Sequence, residues 1–138
     1  MSCYAVVDTN GLVSALLTEH EDAATVQVLR RILGGEIIPV FSADIIKEYR
    51  EVLTRKKFGF SVSLVTYLIA ALEQFGIQVE PSPLGIVLPD KKDLPFFEVV
   101  MESRKRSDAY LVTGNRKHFP EEPFIVTPRE LLSILSEN

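Results

Sequence analysis

Four acidic residues stand where a carboxylate could do chemistry, beside short apolar runs or at the border of an apolar helix face. They are Asp8, Glu48, Asp93 and Asp108. Carboxylate oxygens suit Mg²⁺ and Mn²⁺, which keep several waters and take few protein ligands. Such an ion activates water and neutralises charge on a leaving oxygen. If folding gathers these acids into one pocket, they could cut a phosphodiester without a nucleophilic side chain.

Each acid also has a simpler interpretation. Asp8 follows a buried run and could cap the next helix. Glu48 lies about 100° from the centre of its helix's apolar stripe, where a Glu is usually just solvated. Asp93 heads an apolar helix face, and capping that helix or binding a metal would satisfy it equally well. Asp108 precedes the apolar run 110–113 and could be no more than a loop carboxylate.

Other kinds of site are poorly supported by the sequence. The only histidines are His20 and His118, and Cys3 is the single cysteine, so zinc is not expected and an internal disulfide is excluded. We interpret Cys3 as a small buried hydrophobe. No Ser/His/Asp triad, Walker loop or dinucleotide glycine fingerprint is recognisable. The absence of an Asp-x-Asp pair after the first strand disfavours a phosphatase pocket.

Composition indicates one ordinary globular domain covering residues 1–138. The chain has 46% apolar and 25% charged residues, and no apolar stretch is long enough to cross ~30 Å of membrane. The N-terminal residues have no basic leader, so we expect a cytoplasmic protein. The net charge of -4 argues against coating nucleic acid through bulk electrostatics. Local basic runs at 104–106 and 116–117 could still hold an RNA backbone, although solvated surface charge explains any one of them more simply.

Short apolar runs alternate with segments of helical periodicity. This pattern predicts an α/β fold with a central parallel sheet of about five strands, flanked by helices on both faces. Ligands of such sheets bind at the carboxyl ends of the strands. The predicted strands are 4–7, 37–41, 77–79, 110–113 and 124–126, and the predicted helices are 10–17, 22–33, 42–54, 61–74, 94–105 and one opening at 127–130. Residues 80–92, with three prolines, predict a loop.

Four segments together resemble the motifs of the PIN-domain family, in the same order along nearly the whole chain. They read VVDTN at 6–10, IIKEY at 45–49, PDKKDLPF at 89–96 and SDAYLVTGN at 107–115. The chain looks most similar to the toxin-like (VapC-type) PIN ribonucleases of prokaryotic toxin-antitoxin pairs. The resemblance implies a magnesium- or manganese-dependent endoribonuclease acting on RNA, with a small antitoxin and a homodimer as further partners and no membrane association.

By the same resemblance, Asp8, Glu48, Asp93 and Asp108 form the catalytic metal site, with Glu48 orienting the attacking water. A second set of residues would orient these acids or the substrate: Asn10, Thr113, Asn115 and Arg116. The sequence departs from the family where members often carry Asp and this chain has Asn115. Losing that charge weakens the case for a second metal. It also keeps open a rival hypothesis, a PIN-like scaffold that binds RNA or an antitoxin without turnover.

Overall fold

The computed structural model describes residues 3–137, in which five β-strands and six α-helices alternate. The strands are β1 (Cys3–Val7), β2 (Ile37–Phe41), β3 (Ile77–Gln78), β4 (Tyr110–Val112) and β5 (Ile125–Val126). The helices are α1 (Thr9–Leu17), α2 (Ala24–Leu33), α3 (Ala43–Leu53), α4 (Val62–Phe75), α5 (Leu94–Ser103) and α6 (Pro128–Ser136). The predicted single α/β domain is confirmed for these residues.

All strand pairs are parallel, and the sheet order is β3-β2-β1-β4-β5. The central strand β1 pairs with β2 through Cys3–Ile37 and with β4 through Val7–Val112. The chain runs outward from β1 to β3, then returns to add β4 and β5 on the other side. The strand order therefore reverses between β1 and β4, which is where ligands bind in open parallel sheets.

Helices cover both faces, so the central strands are uniformly apolar. Ala5 and Val6 of β1 and Leu111 of β4 are fully buried. Helix α5 packs on β1, β2 and β4, whereas α2 packs on β2 and on α1 and α6. Because crossovers between parallel strands are right-handed, α5, which runs back across the sheet, covers the face opposite α1 and α2. None of the helices in residues 3–137 combines the length and apolar character needed to span a membrane.

Hydroxyl side chains fix the start of three helices, as their sequences predict. Ser42 accepts a hydrogen bond from the Ile45 amide at 3.3 Å, and Ser61 accepts one from the Leu64 amide at 3.1 Å. Thr127 and Glu130 form a reciprocal capping box at the start of α6. These contacts satisfy amides that lack intrahelical partners.

Gly76 ends α4 where no larger residue would fit. A Cβ there would lie 2.4 Å from the Pro39 carbonyl oxygen and 2.6 Å from the Phe41 ring. This close approach lets β3 join the sheet directly after α4. The predicted loop at 80–92 is irregular until a 3₁₀ turn at Lys91–Asp93. Cys3 is half-buried rather than fully buried as predicted, because it lies in the first position of β1 at the margin of the core.

Candidate active site

Asp8 and Thr113 meet at the carboxyl ends of the two strands that flank the reversal point. The Asp8 amide donates to the Val112 carbonyl at 3.0 Å, which continues the pairing of β1 and β4 by one residue. The Thr113 hydroxyl then donates to Asp8 Oδ2 at 2.9 Å, and both side chains are buried. Asp8 occupies the N-cap position of α1 without a side-chain capping bond. The Thr9 and Asn10 backbone amides at the start of α1 also lower the pKa of Asp8, so helix capping explains only part of the environment of this carboxylate.

Glu48 is brought to the same end of the sheet by α3. Its Oε2 accepts a hydrogen bond from the Thr9 hydroxyl in the first turn of α1. The neighbouring Tyr49 is buried, and its hydroxyl donates to the Val7 carbonyl at the end of β1. Adjacent residues of α3 therefore hold α1 and β1, which fixes Glu48 near Asp8. Glu48 is half-buried, as its position beside the apolar stripe predicted.

Asp93 stands directly before α5 and forms a hydrogen-bonded chain with residues that follow β4. Asp93 Oδ2 lies 3.1 Å from His118 Nδ1, and His118 Nε2 lies 2.9 Å from Asn115 Nδ2. A 3₁₀ turn at Arg116–His118 aims the imidazole back toward the sheet edge. Asp93 makes no capping bond to α5. Its partner is therefore the histidine of a distant segment and not its own helix.

Desolvation and mutual repulsion make the charged forms of all three carboxyl groups unfavourable. Burial raises the pKa of Asp8, Glu48 and Asp93, and it is the largest cause for each. The charge of Asp8 raises the pKa of Glu48 and of Asp93 further. The hydrogen bonds from Thr113, Thr9 and His118 act in the opposite direction. The three acids are thus close enough to repel one another.

Hydrogen-bond donors orient these acids without neutralising them. Among residues 3–137, neither Asp8 nor Glu48 forms an ion pair with Lys, Arg or His. Within the same residues, the one ion pair of Asp93 is with His118. Each carboxylate has one side-chain donor, which engages one of its two oxygens. Oriented, uncompensated oxygen ligands suit a hard divalent cation, whose ligands are usually held by such outer hydrogen bonds. The donor set therefore fits Mg²⁺ or Mn²⁺.

The three side chains are not drawn to ligand spacing in this structure. Within the described part of the chain, no group of three or more His, Cys, Asp or Glu side chains has the geometry of a metal site. Repulsion between like charges in a partly desolvated cleft keeps carboxylates apart. The side chains would have to move to bring their free oxygens onto one ion.

Asp108 lies at the opposite end of the sheet, which corrects its predicted placement. Tyr110 pairs with Ala5, the third residue of β1. Asp108, two residues before Tyr110, therefore lies near the level at which β1 begins. Five residues separate Asp108 from Thr113, or on the order of 15 Å along a strand. Asp108 is also exposed. The strand direction, which puts Asp8 after β1 and Asp108 before β4, separates the two acids.

The remaining predicted residues divide by position. Asn10 is exposed in the first turn of α1, beside Asp8. The Asn115 backbone amide donates a 3.0 Å hydrogen bond to the Thr113 hydroxyl oxygen. Arg116 is exposed next to Asn115 and pairs with Glu130 at 3.3 Å. The basic run 104–106 instead follows α5 at the Asp108 end, where Arg104 donates to the Ala109 carbonyl and covers the Phe124 ring. Of the two basic runs, 116–117 is the one near the acids.

Three contacts of the site were not predicted from the sequence. They involve Thr9, Tyr49 and His118. Thr9 and Tyr49 are immediate neighbours of predicted acids, so their presence within the motifs was a usable signal. The contact of His118 with Asp93 spans 25 positions and depends on the 3₁₀ turn after β4, for which the sequence gives no periodic signal.

One comparison with known proteins agrees with this fold. A family model described as PIN domain matches residues 4–117, which is most of the chain, and the chain therefore belongs to the PIN-domain family. PIN domains are typically metal-dependent nucleases, usually using Mg²⁺, and PIN nucleases bind RNA. No curated protein and no solved structure matches the chain.

Proposed function

We propose that this PIN-domain protein is an Mg²⁺- or Mn²⁺-dependent endoribonuclease whose metal site is formed by Asp8, Glu48 and Asp93. The observation that carries the proposal is the convergence of three pKa-raised carboxyl groups from β1, α3 and the start of α5 at the reversal point of the sheet. Burying like charges is costly unless a cation compensates them. Family membership supplies the reaction class, hydrolysis of a phosphodiester.

Each residue has a defined role in the proposal. Asp8 and Asp93 each offer one ligand oxygen, while Thr113 and His118 hold their second oxygens in place. Glu48, fixed by Thr9, orients the attacking water. A bound divalent cation would supply positive charge to the phosphate and lower the pKa of water. Asn115 lies beside the site with an amide where a charged ligand would otherwise stand, which favours one metal over two.

We also propose a toxin role, in which the chain pairs with a small antitoxin and forms a homodimer. The support is the motif resemblance to toxin-like PIN ribonucleases, together with exposed apolar side chains suited to a protein partner. On α4, Val62 is 78% exposed and Tyr67 is 64% exposed. Molar mass in solution, measured by light scattering over a concentration series, tests the dimer. A constant monomer mass at every concentration would remove that part of the proposal.

The alternative function is a PIN-like protein that binds RNA or an antitoxin with weak or no turnover. Asn115 favours it, because an amide contributes no negative charge to a cation site. The two functions predict different chemistry, whether the alternative protein binds RNA or an antitoxin. They therefore separate in a cleavage assay.

The test is cleavage of labelled single-stranded RNA with Mg²⁺, with Mn²⁺ and with EDTA. We expect metal-dependent cutting by the wild type and none by Asp8→Asn or Asp93→Asn. Both variants should fold, with thermal stability in EDTA unchanged or raised, because each removes one charge from a repelling group. Binding without cutting by the folded wild type would favour the alternative, and early melting of the variants with activity intact would show that these acids are structural.

A further inference from the structure

A cleft adjoins the acidic site beyond the carboxyl end of β4, and it is lined by residues before, within and after β5. It has a volume of about 640 Å³, which lies within the range that holds a small ligand. Its lining begins at Gly114 and Asn115, directly after Thr113, the residue that follows β4. The Thr113 hydroxyl contacts both the Asp8 carboxylate and the Asn115 amide, at 2.9 and 3.0 Å. One residue therefore links the cleft to the proposed cutting site.

The lining of the cleft carries charges of both signs. Arg116 and Lys117 supply cations, and Arg116 is held at the rim by its 3.3 Å pair with Glu130. Glu121 and Glu122 also line the cleft, and neither forms an ion pair or a side-chain hydrogen bond with any residue from 3 to 137. Phe119, which is buried, contributes apolar surface to the same lining.

This lining suits one nucleotide of a single strand, with its phosphate near the cations and its base near the glutamates. A phosphate is attracted to Arg116 and Lys117 and is repelled by the two glutamates. The base then lies toward Glu121 and Glu122, whose carboxylates accept hydrogen bonds and donate none. Unpaired bases are recognised through their Watson–Crick edges. Among the four bases, guanine alone offers on that edge two parallel N–H donors that match both oxygens of one carboxylate.

We propose that this cleft is a nucleotide subsite that selects guanine next to the scissile phosphate. The proposal rests on the nuclease function for its biological meaning. The binding it predicts does not depend on catalysis, because Glu121 and Glu122, which would select the base, form no ion pair or side-chain hydrogen bond with Asp8, Glu48 or Asp93.

The first measurement is titration of ¹⁵N-labelled full-length protein with GMP, UMP, AMP and CMP in EDTA, followed by NMR. We expect GMP to shift the amides of Asn115, Phe119 and Thr127, with a Kd about tenfold lower than that of UMP, as one bidentate pair provides. Glu121→Gln/Glu122→Gln should bring the two Kd values within about twofold of each other. Glu19→Gln/Glu73→Gln removes the same charge from exposed positions outside the cleft and should keep the preference.

The second measurement compares cleavage of short RNAs that differ only in the base beside the cut. Equal Kd values for all four nucleotides, or shifts confined to other surfaces, would overturn the subsite whether or not RNA is cut. Guanine binding in the cleft without metal-dependent cutting would support the subsite and overturn the nuclease. Cutting with a guanine preference that the Glu121/Glu122 variant loses supports both.

Discussion

The Thr113 hydroxyl donates a 2.9 Å hydrogen bond to Asp8 Oδ2 across the boundary between β4 and β1. The two residues are 105 positions apart, and both are buried. Their contact joins the strands at which the sheet order reverses. It therefore ties the most buried acid of the site to the strand that leads into the neighbouring cleft.

Replacing Thr113 with Val keeps the side-chain volume and removes the hydroxyl. The Asp8 carboxylate would lose its side-chain donor and the Asn115 amide its acceptor, so we expect a loss of about 1–3 kcal/mol in the free energy of unfolding. RNA cleavage should fall as well, since Asp8 is no longer oriented. Urea denaturation and cleavage rates measure the two effects. Thr113→Ser keeps the hydroxyl and should retain most of both; equal losses in the Ser and Val variants would mean that packing, not the hydrogen bond, is the cause.

The raised pKa values of Asp8, Glu48 and Asp93 predict how stability responds to pH without metal. Groups that bind protons more tightly when folded stabilise the fold below their unfolded pKa, and this contribution is lost as pH rises through the folded pKa. In EDTA, the melting temperature should therefore rise as pH falls from 7 toward about 5. This pH interval lies above the range where Asp and Glu titrate in the unfolded chain. Saturating Mn²⁺ should remove this slope, because the cation favours the charged carboxylates.

Two matched variants make the pH measurement specific. Asp8→Asn should flatten the slope in EDTA, whereas Asp108→Asn, at the other end of the sheet, should not. Glu102 and Glu130 have lowered pKa values, so each stabilises the fold above its unfolded pKa. This contribution is lost only at more acid pH, and it does not cause the predicted rise in melting temperature. A melting temperature that falls steadily from pH 7 to 5 in EDTA would contradict the assigned direction for the three acids.

His118 should act on metal binding through Asp93. Removing the 3.1 Å contact with His118→Phe frees the Asp93 side chain, and loss of such an outer partner typically weakens metal binding by about 10–100-fold. His118→Asn keeps a donor near the Nδ1 position and should recover part of the affinity. Calorimetric titration with Mn²⁺ measures both, beside His20→Phe as an exposed control. Wild-type affinity in His118→Phe would show that Asp93 needs no support.

Asn115 offers a gain-of-charge experiment. Asn115→Asp adds a carboxylate beside His118 and the Thr113 hydroxyl, at the site's edge. We expect tighter Mn²⁺ binding, since affinity for a hard cation increases with the number of charged oxygen ligands. Calorimetry at fixed pH and salt reports the change. Unchanged Mn²⁺ affinity in a folded variant would place residue 115 outside the metal site.

Much of the fold was predictable because its signals are local. Short apolar runs predicted the five strands, and Ser42, Ser61 and Thr127 marked helix starts that the structure confirms. The 3₁₀ turns at Lys56–Phe58 and Arg116–His118 were not predicted, since three residues carry no periodic pattern. For the same reason, the approach of His118 to Asp93 could not be inferred from spacing.

The placement of Asp108 shows where motif order misleads. Its segment follows the order of the family's motifs, but order along the chain says nothing about which end of a strand a residue occupies. Asp8 follows β1, and Asp108 precedes β4. Since the predicted sheet is parallel, that difference alone puts the two acids at opposite ends. The sequence therefore contained the correction, through strand direction.

The most direct test of the metal site is Mn²⁺ binding, measured by calorimetry, in the wild type and in two Asp→Asn variants of equal charge. Position 93 lies at the reversal point of the sheet, and position 108 at its other end. We predict that Asp93→Asn loses most of the affinity for Mn²⁺ and that Asp108→Asn keeps it. Equal affinity in the wild type and Asp93→Asn, or loss in Asp108→Asn alone, would contradict the account.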